Sequence, residues 1–218
     1  MFISIEGPEG SGKTTLASDL GRRLTAVGRQ VHLTFEPGGT PLGREIRRIV
    51  RFGVVVGRED EPPAALDPRA ETLLFLAARA QLIYEVLLPR LARGEVVICD
   101  RYADSTLAYQ SYGRELPQAP VREAIQFATG GLWPDLTILL DLDPAIGLQR
   151  NRGTAPGVPV DRFEAQDLAF HDRVRRGYLA LAAEEPRRWL VLDGTRPVPE
   201  VAELAWQEVR RRLEGEPN

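Results

Sequence analysis

Residues 7–14 read Gly-Pro-Glu-Gly-Ser-Gly-Lys-Thr, which fits the spacing G-x-x-x-x-G-K-[ST] in full. Residue types at this spacing can hold phosphate. The glycines Gly7, Gly10 and Gly12 let the consecutive backbone N–H groups that follow Pro8, as far as Thr15, converge on phosphate oxygens, and a helix beginning behind them adds a favourable dipole. Lys13 then reaches the β- and γ-phosphates of a nucleoside triphosphate, and the Thr14 hydroxyl is a ligand for Mg²⁺. The context agrees: the strand-like run Phe2–Ile5 precedes the motif, and Leu16, Leu20 and Leu24 recur behind it at helical spacing. Lys13 is the single lysine in the chain; the rest of the 28 basic residues are arginine. A coding bias towards arginine accounts for the others, and the exception sits where a compact, flexible ammonium is required. The competing reading is a fortuitous Gly-rich turn. Glu9 would repel a triphosphate unless it faces hydroxyl groups; otherwise it is an exposed loop residue.

Asp100 and Arg101 follow the apolar run Val96–Cys99. A carboxylate at the carboxyl end of a parallel strand lies at the ligand crevice, where it organises Mg²⁺ or its waters. Arg101 can clamp a phosphate, or the two can be a structural ion pair. Phe75 and Arg79 are four apart and share a helix face, able to stack on a base and to hold charge. Alone they read equally as a core aromatic and a surface charge. Ser105, Thr106, Tyr109 and Gln110 offer uncharged polar groups that suit a neutral base or sugar, or an ordinary helix start. Arg150, Arg152 and Arg162 flank Gly153, Pro156, Gly157 and Pro159, so residues 150–163 read as a lid over a triphosphate or as a solvated charged loop. His32 and His171 have no metal-ligand spacing with Cys99 and read as structural.

The elements that must position these residues alternate strand, loop, helix. Strands are expected at Phe2–Ile5, Val31–Phe35, Val96–Cys99, Leu136–Leu140 and Trp189–Leu192. Helices are expected from Leu16 to Gly28, Gly43–Val50, Arg69–Arg93, two within 104–130, Ala165–Ala183, and one around Val201–Val209, with a loop over 53–67. The expectation is an α/β, three-layer P-loop fold whose five-stranded parallel sheet carries helices on both faces. Residues 1–214 are expected as one domain, with 215–218 frayed. At 218 residues and 43% hydrophobic the chain can bury a sizeable core. A net charge of −3 speaks against nucleic-acid binding as its main task. No run of about 18 apolar residues and no basic, apolar leader is seen, so no membrane association is expected. One cysteine suits a reducing cytoplasm.

Taken together the chain resembles the bacterial thymidylate kinases, P-loop nucleoside monophosphate kinases that use ATP and dTMP. The resemblance rests on residues 7–15, Glu36-Pro37-Gly38-Gly39-Thr40, Phe75 with Arg79, Asp100-Arg101-Tyr102, Ser105-Thr106, Tyr109-Gln110 and Asp161-Arg162-Phe163-Glu164. It implies that Glu9 contacts the dTMP 3′-hydroxyl, Phe75 stacks on thymine, Arg79 and Arg101 hold the dTMP phosphate, Thr106 and Gln110 read the base edge, with Ser105 beside them, and Tyr109 crowds the 2′ position. It places Arg150 against adenine with residues 193–197, Thr195 among them, on the other side. It also implies Mg²⁺ with ATP at Thr14 and Asp100, a place in dTTP biosynthesis, and a homodimer. Where the family often has arginine before Glu36, this chain has Phe35; Arg44 or Arg47 could take that part. Gly10 stands where some members carry a basic loop residue, so Arg152 and Arg162 are the expected catalytic cations beside Lys13 and Arg101. The rivals are another nucleotide or deoxynucleoside kinase, and a regulatory NTP-binding module. A guanine-reading Asn-Lys-x-Asp element is impossible without a second lysine.

Overall fold

The structure, a computed structural model, describes residues 1–53, 66–151 and 161–215, apart from the side chain of Asn151. Among them β1 (Phe2–Glu6), β2 (Val31–Phe35), β3 (Val96–Asp100), β4 (Leu136–Asp141) and β5 (Trp189–Asp193) form one parallel sheet in the order β2-β3-β1-β4-β5. The helices are α1 (Lys13–Ala26), α2 (Pro41–Phe52), α3 (Pro68–Leu82), α4 (Leu88–Ala92), α5 (Ala103–Thr106), α6 (Gln118–Thr129), α7 (Pro144–Asn151), α8 (Leu168–Glu184) and α9 (Val198–Leu213). A π-helical turn, Ile83–Leu87, fuses α3 to α4, and another, Leu107–Gly113, prolongs α5.

Strand alternation builds two cores. Phe2, Val97, Cys99 and Leu139 face the layer of α3, α5, α6 and α8. Ile3, Ile5, Val96, Ile98, Leu136, Ile138 and Leu140 face α1 and α9. Both faces are buried, as a parallel sheet requires, and the expected fold class holds. β1 is central, with β3 and β4 on its two sides, so the connections diverge at its carboxyl end and open a crevice there. That edge of the sheet carries Glu6, Phe35, Asp100, Asp141 and Asp193.

Two local differences from the sequence reading stand out. The helix α7 over Pro144–Asn151 was not expected, because Gly147 and a length of 8 residues hide its periodicity. The helix after the lid begins at Leu168, not Ala165, with the Asp167 side chain capping it by accepting from the Phe170 N–H at 2.7 Å. Of the loop expected over 53–67, residues 54–65 lie outside the described residues, as do 152–160 of the lid and 216–218 of the C-terminus.

Candidate active site

A cleft of about 710 Å³ opens at the carboxyl end of β1 and β3. Its walls come from the phosphate loop, the first turns of α1, β2 and the residues after it, α2, α3, the Asp100–Gln110 segment, and Arg150, Asp161 and Phe163 from the two ends of the lid segment. Among the described residues it is lined by six cationic side chains, Lys13, Arg47, Arg51, Arg79, Arg101 and Arg150, and four acidic ones, Glu9, Glu36, Asp100 and Asp161. That net positive balance fits a polyanionic ligand.

The loop turns by positive φ at Gly7 (142°), Gly10 (71°) and Gly12 (92°), conformations that side chains with a Cβ rarely adopt. Gly10 is constrained twice. A Cβ there would overlap the Gly147 carbonyl oxygen, and a Cβ on Gly147 would overlap the Glu9 carbonyl oxygen. The loop and α7 thus touch backbone to backbone, which physically bars a side chain at residue 10. No side chain caps α1 at Gly12; its first N–H groups are the anion-binding end of a helix.

Lys13 is buried, and its Nζ donates to the Pro8 carbonyl at 2.8 Å. Burial, helped by Arg101, pushes its pKa down to about 8. The Thr14 hydroxyl donates to Asp100 Oδ2 at 2.6 Å, bringing together two hard oxygens from α1 and β3. The Ser11 hydroxyl is buried, with no partner among the described residues.

Arg101 has φ 69°, a left-handed backbone that aims its side chain back over the loop. Its Nη1 donates to the Gly7 carbonyl (3.0 Å) and the Tyr178 hydroxyl (3.1 Å); its Nη2 donates to Glu9 Oε1 (2.7 Å) and the Tyr109 hydroxyl (3.0 Å). Burial would raise the Glu9 pKa, but Arg101 and Lys13 overcome it and hold the carboxyl at about 2. Glu9 is therefore a fixed anion facing into the cleft.

Arg79 is 1% exposed. Its Nε and Nη2 grip the Glu36 carboxylate, with Nη2–Oε2 at 2.6 Å, Nη2 also donates to the Tyr102 carbonyl, and Nη1 donates to Thr106 Oγ1 at 2.9 Å. Glu36 cancels its charge, and among the described residues one Nη1 hydrogen is left for a ligand. Arg47 is the reverse case. It donates to the Pro37 carbonyl at 3.2 Å and lies 5.3 Å over the Phe35 ring, with no carboxylate at ion-pair distance among the described residues. Burial and the neighbouring Arg51 push its pKa down, as for a cation placed to receive an anion. Arg44 is exposed and does not line the cleft.

The remaining expected residues fall as follows. Phe75 lines the cleft, its ring 5.9 Å from Phe163, which also lies 5.8 Å from the Tyr109 ring. Gln110 donates to Glu71 Oε1 at 3.2 Å. The Ser105 hydroxyl turns away to Glu6 Oε2 at 2.6 Å. Arg150 reaches the cleft, and its Nη1 donates to the Gly194 carbonyl at 3.2 Å, which sets it against the 193–197 loop. Thr195 is held by Asp193 and does not line the cleft. Arg162 is not brought to the phosphate loop: its Nη1 donates to the Val50 carbonyl (3.3 Å) and its Nη2 lies 3.7 Å from Glu71. Arg152 lies outside the described residues. Sequence reasoning passed over Arg51 as a cleft wall, and had Asp161 and Phe163 only as members of the lid element. The signal available for Arg51 was its i,i+4 spacing from Arg47 on a helix whose buried positions are Gly43, Ile46 and Val50.

A family model described as thymidylate kinase matches residues 5–205. The chain belongs to the thymidylate kinase family. It is 52% identical to a thymidylate kinase of Deinococcus radiodurans over 97% of both chains. It is 48% identical to that of Thermomicrobium roseum, over 95% of this chain and 93% of the relative. It is also 48% identical to that of Solidesulfovibrio magneticus, over 98% and 100%. The sequence expectation of a phosphotransferase of this family stands.

Proposed function

We propose that this chain transfers the γ-phosphoryl group of ATP to dTMP, giving dTDP and ADP. The observation that carries the reading is the joining, in one cleft, of a complete phosphate loop to an aromatic and amide-lined pocket through a single bridge, Arg101–Glu9. The loop amides and Lys13 hold the ATP phosphates, and Arg150 lies along the adenine. Phe75 stacks on thymine; Thr106, Gln110 and the remaining Arg79 hydrogen meet its edge. Tyr109 closes the 2′ side of the sugar and Glu9 accepts from the 3′-hydroxyl. With Arg79 neutralised by Glu36 and Arg101 paired with Glu9, Arg47 brings the uncompensated positive charge to the acceptor phosphate, and Arg101 meets that phosphate from its place beside Glu9.

The donor chemistry at Thr14 and Asp100 suits Mg²⁺, a hard cation that takes few protein oxygens and fills its shell from phosphate and water. Bound with ATP, it neutralises charge on the phosphates. The protein's part is positioning and electrostatic: it holds donor and acceptor in line and aims cations at the charge spreading over the transferring group. Arg152 is our candidate for a further cation. Arg162 can serve only by leaving Glu71.

We place the protein in the cytoplasm as a homodimer, with residues 1–214 as one kinase domain. The run Pro68–Ala92 is long and apolar enough by composition to cross a membrane, with a window of mean hydropathy 1.4. Yet Leu76, Leu82, Ile83 and Leu87 pack into the core. Its outer stripe of Leu73, Tyr84 and Leu88, with Phe127 of α6 at 91% exposure, supports docking of a second copy. A coupled ADP-release assay with ATP–Mg²⁺ against a panel of nucleoside monophosphates tests the reaction. Preference for an acceptor other than dTMP would overturn it.

A further inference from the structure

The chemistry above leaves the fully buried carboxylate of Glu6 without a task. Alternation along β1 turns Phe2, Ser4 and Glu6 to the same face, the one covered by α5 and α8, and Glu6 ends there with 0% exposure. Its Oε1 accepts from the Tyr102 N–H at 2.8 Å. Its Oε2 accepts from the Ser105 hydroxyl at 2.6 Å and the Tyr178 hydroxyl at 3.1 Å. The donors come from three places: the turn after β3, α5 and α8. All three surround Arg101.

Arg101 occupies a backbone region that residues with a Cβ avoid unless neighbours impose it. The peptides on either side of it are both tied to the end of β1. The Arg101 N–H bonds the Ile5 carbonyl at 3.0 Å, and the Tyr102 N–H bonds the Glu6 side chain. Beneath the guanidinium, the Ser105 and Tyr178 hydroxyls lie 2.8 Å apart, and both accept from Arg101 Nη1.

We propose that Glu6 is a positioning residue: its carboxylate holds the left-handed turn at Arg101 and orients the Ser105–Tyr178 hydroxyl pair, and so sets the guanidinium on the phosphate loop. This rests on the reading of Arg101 as an acceptor-site cation. A main-chain acceptor could take the Tyr102 N–H but could not also order two hydroxyls from separate helices. Burial, then Asp104, pushes the Glu6 pKa up to about 7, against the hydrogen bond from Ser105 and the charge of Arg101. Lys13, Arg79, Cys99, Tyr109 and Tyr178 also lie within its field. Between the ordinary carboxyl value of 4.5 and about 7 the folded state keeps a proton that the unfolded state has lost, so stability falls as pH rises through that window.

The test is a double-mutant cycle of Glu6→Ala and Glu6→Gln with Arg101→Ala, read by steady-state kinetics. Glu6→Ala should lower kcat/KM for dTMP by about ten- to a hundredfold, as for an unmade buried bond to a charged group. Glu6→Gln keeps an acceptor for the Tyr102 N–H and should lose only about three- to tenfold. KM for ATP should hold. In the Arg101→Ala background both losses should shrink to within about twofold, since the residues act through one contact. The melting temperature of Glu6→Gln relative to wild type should rise from pH 5 to pH 8, because the titration is gone. If Glu6→Ala does not fold, the Glu6→Gln cycle decides alone. Additive losses, or wild-type kinetics in Glu6→Gln together with Glu6→Ala, would overturn the inference while leaving the acceptor site intact. Wild-type kinetics in Arg101→Ala would overturn the acceptor-site reading and this inference with it.

Discussion

Lys13 and the arginines of the cleft divide the work by how their charges are paired. Lys13 is fixed to the Pro8 carbonyl and has, among the described residues, no carboxylate of its own in hydrogen-bond reach, which leaves its charge for the triphosphate. Lys13→Ala should cut kcat by several orders of magnitude with dTMP binding little changed, measured by single-turnover kinetics and calorimetry; near-normal turnover would reject the loop assignment. Among the described residues Arg47 has no acidic partner, and it should behave as a phosphate anchor. Arg47→Ala should raise KM for dTMP by about ten- to a hundredfold, the worth of a charged hydrogen bond of about 1.5–3 kcal/mol, while KM for ATP stays put. Arg79 belongs to the fold as much as to the site. Arg79→Ala strands Glu36 in the interior and should cost about 3–5 kcal/mol of stability, visible as a lowered urea midpoint. Tyr109 acts by shape: Arg101 holds its hydroxyl and Phe163 and Phe170 pack on its ring. Tyr109→Ala should lower the kcat/KM preference for dTMP over its ribonucleotide, and an unchanged ratio removes Tyr109 from the sugar pocket.

Among the elements, α7 joins the phosphate loop to the 193–197 loop. One turn after Gly147 it carries Arg150 to the Gly194 carbonyl, while Gly147 itself lies on the loop at Glu9. Glu9 then meets α7 through its backbone and Arg101 through its side chain. In an unhindered helix Gly→Ala stabilises by about 1 kcal/mol. Here the added methyl must push α7 off the loop. Gly147→Ala should therefore raise KM for ATP severalfold and lower kcat, with dTMP affinity held; wild-type ATP kinetics with a raised melting temperature would show that α7 has room to spare. The π-helical turn Leu107–Gly113 does a related job, since its wider turn brings Tyr109 and Gln110 into the cleft.

At the scale of the molecule, the exposed stripe on α3 and its π-helical extension is the feature that a lone subunit leaves unexplained. Burying Phe127 and its counterpart would add about 1.5–3 kcal/mol each to an assembly. Tyr84→Arg with Phe127→Arg should shift the protein towards monomer in sedimentation velocity, and an unchanged sedimentation coefficient would place any interface elsewhere.

What the sequence determined by itself was whatever is written in neighbouring residues. The phosphate loop, the five strands, the Asp100–Arg101 strand end and the family resemblance all rest on short-range spacing, because backbone hydrogen bonding and phosphate cradling are local. Between Arg44 and Arg47 the sequence left the choice open, and the fold turns Arg47 into the cleft. The tertiary structure decided the pairings. Arg79 finds Glu36 43 residues away and Arg101 finds Glu9 92 residues away. No periodicity announces either, yet each sets whether a cation is neutralised or free. The same holds for Ser105 and Glu6, 99 positions apart, and for Gly10 with Gly147. Ion pairs, buried acceptors and backbone collisions depend on which elements pack together, and that is fixed only when the sheet brings the ends of its strands to one edge.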